Sequence, residues 1–308
     1  MKAEHSAEAA PVRKHRLDAL AVALLLTCCT VWGLQQVLIK VTLSEMPPMF
    51  QAWLRLGGAT VLLLLWCRWR GVPLLQRDGT LWAGLLAGLL FAAEFICIYT
   101  GMQYTGSARL TVFLYSSPFW VALLVPLWNR SERLQGLQWA GLALAFAAVA
   151  FALREGLAQN QGSTVLGDLL GLAAGLFWGL TTVVIRSSGL VRISPEKMLL
   201  YQVGVSAIML PWLSLGAGEV WRWGYSAWAW AAVAAQASLG GFLSFLAWMW
   251  LLGRYPATRV TSFSFFTPLF TLVFSALWLG ESVTPGVLAA IAAVAVGMAL
   301  MNRRNPAA

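Results

Sequence analysis

Residues 31–40 read VWGLQQVLIK, and residues 177–186 read FWGLTTVVIR. Trp32/Trp178, Gly33/Gly179, Leu34/Leu180, Val37/Val183 and Ile39/Ile185 coincide, and a base closes each stretch, Lys40 and Arg186. A second pair occurs at an offset of 150 instead of 146: SARLTVFLYSSPFW at 107–120 against ATRVTSFSFFTPLF at 257–270. It shares Arg109/Arg259, Thr111/Thr261, Phe113/Phe263 and Pro118/Pro268, and each copy runs on to a tryptophan and an acid, Trp128 with Glu132 and Trp278 with Glu281. Self-similarity in the same order at two such close offsets means a duplicated unit. The halves are residues 17–153 and 165–302, preceded by a polar, basic tail at 1–16.

Composition says what each half is made of. The chain has 308 residues, 59% of them hydrophobic and only 11% charged, where a soluble domain carries about 25% charge. The charges are spaced to leave long apolar gaps: 20 residues between Arg109 and Arg130, 20 between Arg133 and Arg154, 21 between Lys197 and Glu219, and 31 between Arg222 and Arg254. At 1.5 Å per residue, about 20 residues cross a hydrocarbon core of roughly 30 Å. The chain therefore reads as an all-α integral membrane protein. The windows predict ten transmembrane helices, near 18–40, 47–67, 80–103, 107–129, 134–153, 165–186, 197–217, 226–252, 257–279 and 284–302. The first is expected to be a retained helix, since no small-residue cleavage site comes after the tail.

Five helices per half is an odd number, so the second half must enter the membrane from the opposite side. Inverted repeats mark secondary transporters, with the substrate site near the midplane at the repeat interface. The net charge of +9 invites a nucleic-acid reading, but its distribution does not. With a cytoplasmic N-terminus, sixteen of the 21 Lys and Arg fall on the cytoplasmic side, four (Lys40, Arg109, Arg154, Arg222) fall outside, and Arg55 lies within a span. That is the positive-inside pattern with both termini cytoplasmic, in a cell's inner membrane. The partners expected are a lipid bilayer, a small-molecule substrate and a proton gradient, with no nucleic acid.

The order of these motifs resembles EamA-type permeases of the drug/metabolite transporter superfamily. It is carried by WG…K in helix 1, LRL around Arg55, YTGSARLTVFLYSSPF into helix 4 with ERL after it, GDLLGLAAGLFWGL opening helix 6, and TPLFTLVFSALWLGES in helix 9. The helix 4 acid motif reads NRSERL where the family pattern has GE. The resemblance implies a permease of two inverted repeats, commonly exporting amino acids or related metabolites and often driven by proton exchange.

Glu94, in LLFAAEFICIY at 89–99, is the carboxylate that stands alone in an apolar span. By residue count it lies roughly 13 Å below the outer boundary, and Arg55 on the preceding helix lies roughly 12 Å below it. Either charge alone is costly in lipid, and intramembrane ionisable residues are functional by default. Two readings stay open: a fixed Glu94–Arg55 pair that holds helices 2 and 3 together, or a Glu94 that carries protons or binds a substrate amine. Gln35 and Gln36 come after Trp32, while Thr181 and Thr182 come after Trp178 at the related place. Tyr115, Ser116 and Ser117 precede Pro118, Thr267 precedes Pro268, and Gln202 and Gln236 lie in helices 7 and 8. Polar groups in lipid face the bundle, where they bond neighbours or line a cavity. Trp32, Trp178, Tyr99, Trp120 and Trp248 are candidate aromatic walls. Pro118 and Pro268, expected mid-helix, are candidate hinges.

Gly167, Gly171, Gly175 and Gly179 repeat every four residues on helix 6, and Gly84 and Gly88 do so on helix 3. Such faces admit close packing, within the chain or in a homodimer. Cys28, Cys29, Cys67 and Cys97 lack metal-ligand spacing and read as packing residues. His5 and His15 both fall in the tail, and no Gly-Lys-Ser/Thr phosphate loop occurs, so neither an enzyme, a metal site nor a cofactor is expected. The reading is a proton-coupled metabolite exporter. A multidrug exporter or an importer is the alternative within transport, and a membrane scaffold or sensor is the alternative outside it.

Overall fold

The computed structural model describes residues 17–104, 110, 113–152, 165–279 and 285–301. The tail, Arg109, Thr111, Arg154, Glu281, Arg303 and Arg304 lie outside the described residues. Regular structure is helical throughout the described residues. Helix α1 is Ala19–Thr42, entered through Asp18, whose carboxylate accepts from Ala21 N at 3.0 Å. Helix α2, Pro48–Arg70, starts on a proline, which has no N–H to leave unpaired. It ends at Gly71, whose φ of +67° closes the helix in the left-handed region. Then come α3 (Leu81–Tyr104), α4 (Ser117–Trp128), α5 (Gly136–Ala152), α6 (Val165–Ser187), α7 (Pro195–Gly216), α8 (Ala227–Arg254), α9 (257–279) and α10 (Pro285–Met301).

Seven of these are long and apolar enough to cross a membrane: α1, α2, α3, α6, α7, α8 and α9. Helices α4, α5 and α10 are shorter, at 12, 17 and 17 residues, and α5 and α10 adjoin undescribed chain. Exposed tryptophans (Trp69, Trp82, Trp128, Trp212, Trp223) stand near helix ends or in connections, where an indole sits at a lipid–water interface.

Three helices depart from the uniform rods the sequence predicts. In α8 a π-helical turn at Gln236–Leu243 separates two α-helical parts. In α9 a 3₁₀ turn at Phe263–Phe265 does the same. Ahead of α4 the chain turns at Tyr115–Ser116, after helical Phe113 and Leu114. Pro118 is therefore the second residue of a helix, and Pro268 the third residue of the last part of α9. Neither is mid-helix as expected, because a first turn is where a missing N–H and a fixed φ cost least.

The packing obeys an exchange of each helix with the one five places on. Helix α1 packs on α9 and α6 on α4; α3 packs on α6 and α8 on α1; α3 packs on α7 and α8 on α2. The pairs α2–α7 and α5–α10 map onto themselves. Close approach obeys the same exchange. A Cβ on Gly33 would stand 2.7 Å from Phe270 Cβ, and one on its counterpart Gly179 2.6 Å from Trp120 Cβ, the residue related to Phe270. Two more glycines of the ladder make close approaches: Gly171 lies against Phe113, and Gly175 against Leu114 O and Ser116. Gly84 and Gly88 admit Tyr201 and Val205 of α7. These faces pack within the chain.

Candidate functional site

Between the halves lies a cavity with ≈ 720 Å³ of atom-free space, its mouth included. Helical periodicity delivers its lining. From α3 come Phe91, Glu94, Phe95, Ile98 and Tyr99, spaced by three and four along one face. Helix α1 gives Trp32, Gln35, Gln36 and Ile39, α6 gives Trp178, Thr181, Thr182 and Ile185, and α8 gives Phe245, Trp248, Met249 and Leu252. Arg55, Tyr115 and Gln202 complete the polar set. Thus ten of the expected residues (Trp32, Gln35, Gln36, Arg55, Glu94, Tyr99, Tyr115, Trp178, Thr181, Gln202) share one space. Gln236 stands outside the lining, on the π turn, where Gln51 Nε2 reaches its Oε1 at 3.4 Å and also bonds Thr42 Oγ1.

The charges in this cavity are buried and incompletely answered. Arg55 is 1% exposed, and its Nε and Nη1 have no hydrogen-bond partner. Its guanidinium lies over Phe95 at 4.8 Å and Phe245 at 5.6 Å, cation–π contacts that hold the group without using up its donors. Glu94 is 6% exposed, with Oε2 unpartnered. Although they face one cavity, Arg55 and Glu94 make no ion pair within 4 Å, so they are not a locked clasp.

Aromatic rings form the remaining wall. Trp32 touches Trp248 at 4.9 Å, Phe245 at 5.6 Å and Trp178 at 6.0 Å between centroids, and Tyr115 meets Trp178 at 5.6 Å. The Trp32 indole N–H donates to Ser244 Oγ at 2.8 Å. Thr181 and Thr182 return their hydroxyls to Phe177 O and Trp178 O, and Gln202 donates to Met249 Sδ at 3.1 Å. Phe91, Phe95 and Ile98 were missed, though the spacing of three and four along the face of Glu94 would have found them. Ser244 could not be found so, because one serine in an apolar helix carries no signal of what it holds.

The cavity ends at a polar knot. Arg186 Nε donates to Glu132 Oε1 at 3.0 Å, Nη2 bonds the same oxygen, and Nη1 donates to Leu252 O at 2.8 Å. Glu132 Oε2 accepts from Ala257 N, at the start of α9, at 2.7 Å. Ile185 and Leu252 line the cavity, so the knot lies directly beyond it. The connection before α3 is tied to the start of α7 by Lys197 Nζ to Asp78 Oδ2 at 2.7 Å. Burial works against the Asp78 carboxylate, but hydrogen bonds from Lys197 and Thr80 outweigh it and hold its pKa down at about 2. Elsewhere Glu219 accepts from Met49 N and Phe50 N at the start of α2. All four cysteines are buried and free, and the described residues hold no cluster of three or more metal-ligating side chains.

A paired exchange of helix contacts, apolar spans and a cavity holding buried charges between the repeats mark a polytopic membrane protein of the transporter type. The chain belongs to the EamA-like transporter family, whose sequence model matches residues 19–154 and again 165–303. It is 27% identical over 301 residues to the uncharacterised transporter YvbV of Bacillus subtilis, covering 95% of each chain. It is 28% identical over 284 residues to a probable amino-acid metabolite efflux pump of Salmonella typhimurium, covering 89% of this chain and 92% of that one. A crystal structure at 18% identity superposes with a TM-score of 0.78 over 92% of this chain and 96% of its own, a likeness of fold alone.

Proposed function

We propose that this protein is a ten-span secondary transporter that exports amino acids or closely related zwitterions across the cell's inner membrane in exchange for protons. Both termini are cytoplasmic, and the two five-helix halves rock about the central cavity. The observation that carries the reading is the pair of opposite, buried, unpaired charges, Arg55 and Glu94, facing one aromatic-walled space. A buried charge without a partner is costly. Cargo bearing a carboxylate and an ammonium would answer both groups in one binding event. A proton on Glu94 would answer it when the site is empty, which couples cargo to proton by competition. A cationic drug fits less well, because Arg55 repels it. The relatives named as amino-acid metabolite efflux pumps support this cargo class.

The test compares metabolites in the medium of cells expressing wild type or Glu94→Gln at equal membrane abundance. Wild type is expected to enrich amino acids outside, and Glu94→Gln to return the profile to that of empty cells. Equal enrichment by both proteins would make Glu94 structural. No enrichment by wild type would favour uptake or a scaffold.

A further inference from the structure

Ser244 lies where the π turn of α8 gives way to its last α-helical part. It takes no direct part in the transport reading. A π turn inserts a residue into helical register, so it rotates the helix beyond it by about 100° relative to the helix before it. The part beyond the turn supplies Phe245, Trp248, Met249 and Leu252 to the cavity. The orientation of this wall therefore depends on the turn.

Helix α1 grips the same turn at two places. The Trp32 indole donates to Ser244 Oγ at 2.8 Å, and Ser244 Oγ donates to Gly240 O at 2.7 Å, inside the turn. One helical turn further along α1, the Gln35 amide rests against Gly240 where any Cβ would collide with its Oε1. Trp32 is also the ring that touches Trp178, Phe245 and Trp248 together. The hydroxyl of Ser244 thus accepts from the central indole and donates to the backbone of the turn.

We infer that Ser244 is a positioning residue for cargo: by anchoring the Trp32 indole to the π turn of α8, it sets the aromatic wall that selects the cargo side chain. The inference rests on the transport reading of this cavity. Losing the acceptor leaves a buried indole N–H unpaired and the ring free to tilt, which weakens binding and leaves the rocking step intact.

The experiment measures uptake of each standard amino acid from an equimolar mixture into everted membrane vesicles, then saturation curves for the best-transported one. Ser244→Ala and Trp32→Phe are each expected to raise KM about tenfold with maximal rate little changed, and to shift the preference among amino acids the same way. The double variant is expected to go no further than Trp32→Phe alone, since that substitution already removes the donor of the Ser244 contact. Ser244→Thr should keep wild-type values. Ser244→Cys, a poor acceptor of similar size, serves should Ser244→Ala be lost from the membrane. An unchanged KM and preference in the acceptor-less variant, or effects that multiply in the double, overturns the inference alone. Uptake of none of the amino acids by wild type overturns the amino-acid export reading, and this inference with it.

Discussion

Among the described residues five charged side chains are buried: Arg55, Glu94, Glu132, Arg186 and Lys197. In three of them every side-chain nitrogen or oxygen has a partner. Glu132 and Arg186 answer each other, a helix N-terminus and a carbonyl, while Lys197 bonds Asp78 and Gln76 O. Arg55 and Glu94 keep unpartnered atoms, and they face the cavity. A folded chain tolerates such groups where a ligand or proton completes them. The sequence exposes both residues because a charge stands out in an apolar window. It could not say whether they touch, since depth along a helix does not fix facing. Gln236 shows the same limit: its depth suits the cavity, but it bonds Gln51 outside the lining. Asp78 carries a prediction of its own. Its carboxyl is held at about 2, below an ordinary value of about 3.9, so the Asp78–Lys197 tie stabilises the fold above about pH 4 and is lost as pH falls towards 2. In thermal melts of purified protein, wild type should exceed Asp78→Asn at pH 6, and the gap should close on acidification through that window. A gap independent of pH would remove the ion pair from the account.

Helix positions were legible because apolar gaps between charges measure the membrane directly. The interruptions in α8 and α9 were not, since a π or 3₁₀ turn changes backbone partners without changing the apolar pattern. The prolines hinted at breaks without placing them, and both proved to begin helical segments. Glycine spacing announced close faces but not their partners. Helix α6 passes so near the Tyr115–Ser116 turn that a Cβ on Gly175 would stand 2.6 Å from Ser116 Oγ and 2.7 Å from Leu114 O. Gly175→Ala should therefore destabilise the protein by about 1–3 kcal/mol through overpacking. Gly216, at the end of α7, has nothing within 4 Å of its Cβ direction, and Gly216→Ala should be neutral or stabilising by up to about 1 kcal/mol. Denaturation midpoints of the two variants in one detergent check the contrast, and equal midpoints would refute the close approach of α6.

Across the whole molecule the two repeats share a pattern but not a state. Duplication could be read from the sequence, because it rests on matched motifs, and the helix contacts repeat it. Which contacts are made on each side could not, because equivalent residues need not be equivalently engaged. Arg186 is buried in three hydrogen bonds, whereas its counterpart Lys40 is exposed and unpaired among the described residues. In an alternating-access bundle such inequality between related positions is what shuts one end while the other is free to part. The Glu132–Arg186 knot bridges the first repeat to the second beyond the cavity, at the end the positive-inside pattern assigns to the cytoplasm. Under the export proposal, cargo entering from that side must part it. Arg133 and Ser188 flank the knot and are exposed, so cysteines there leave Glu132 and Arg186 intact. In a background lacking the native cysteines, joining positions 133 and 188 with a short reducible crosslinker should stop amino-acid export, and a reductant should restore it. Undiminished export by fully crosslinked protein would mean that this end never separates, and that cargo reaches the cavity by another route.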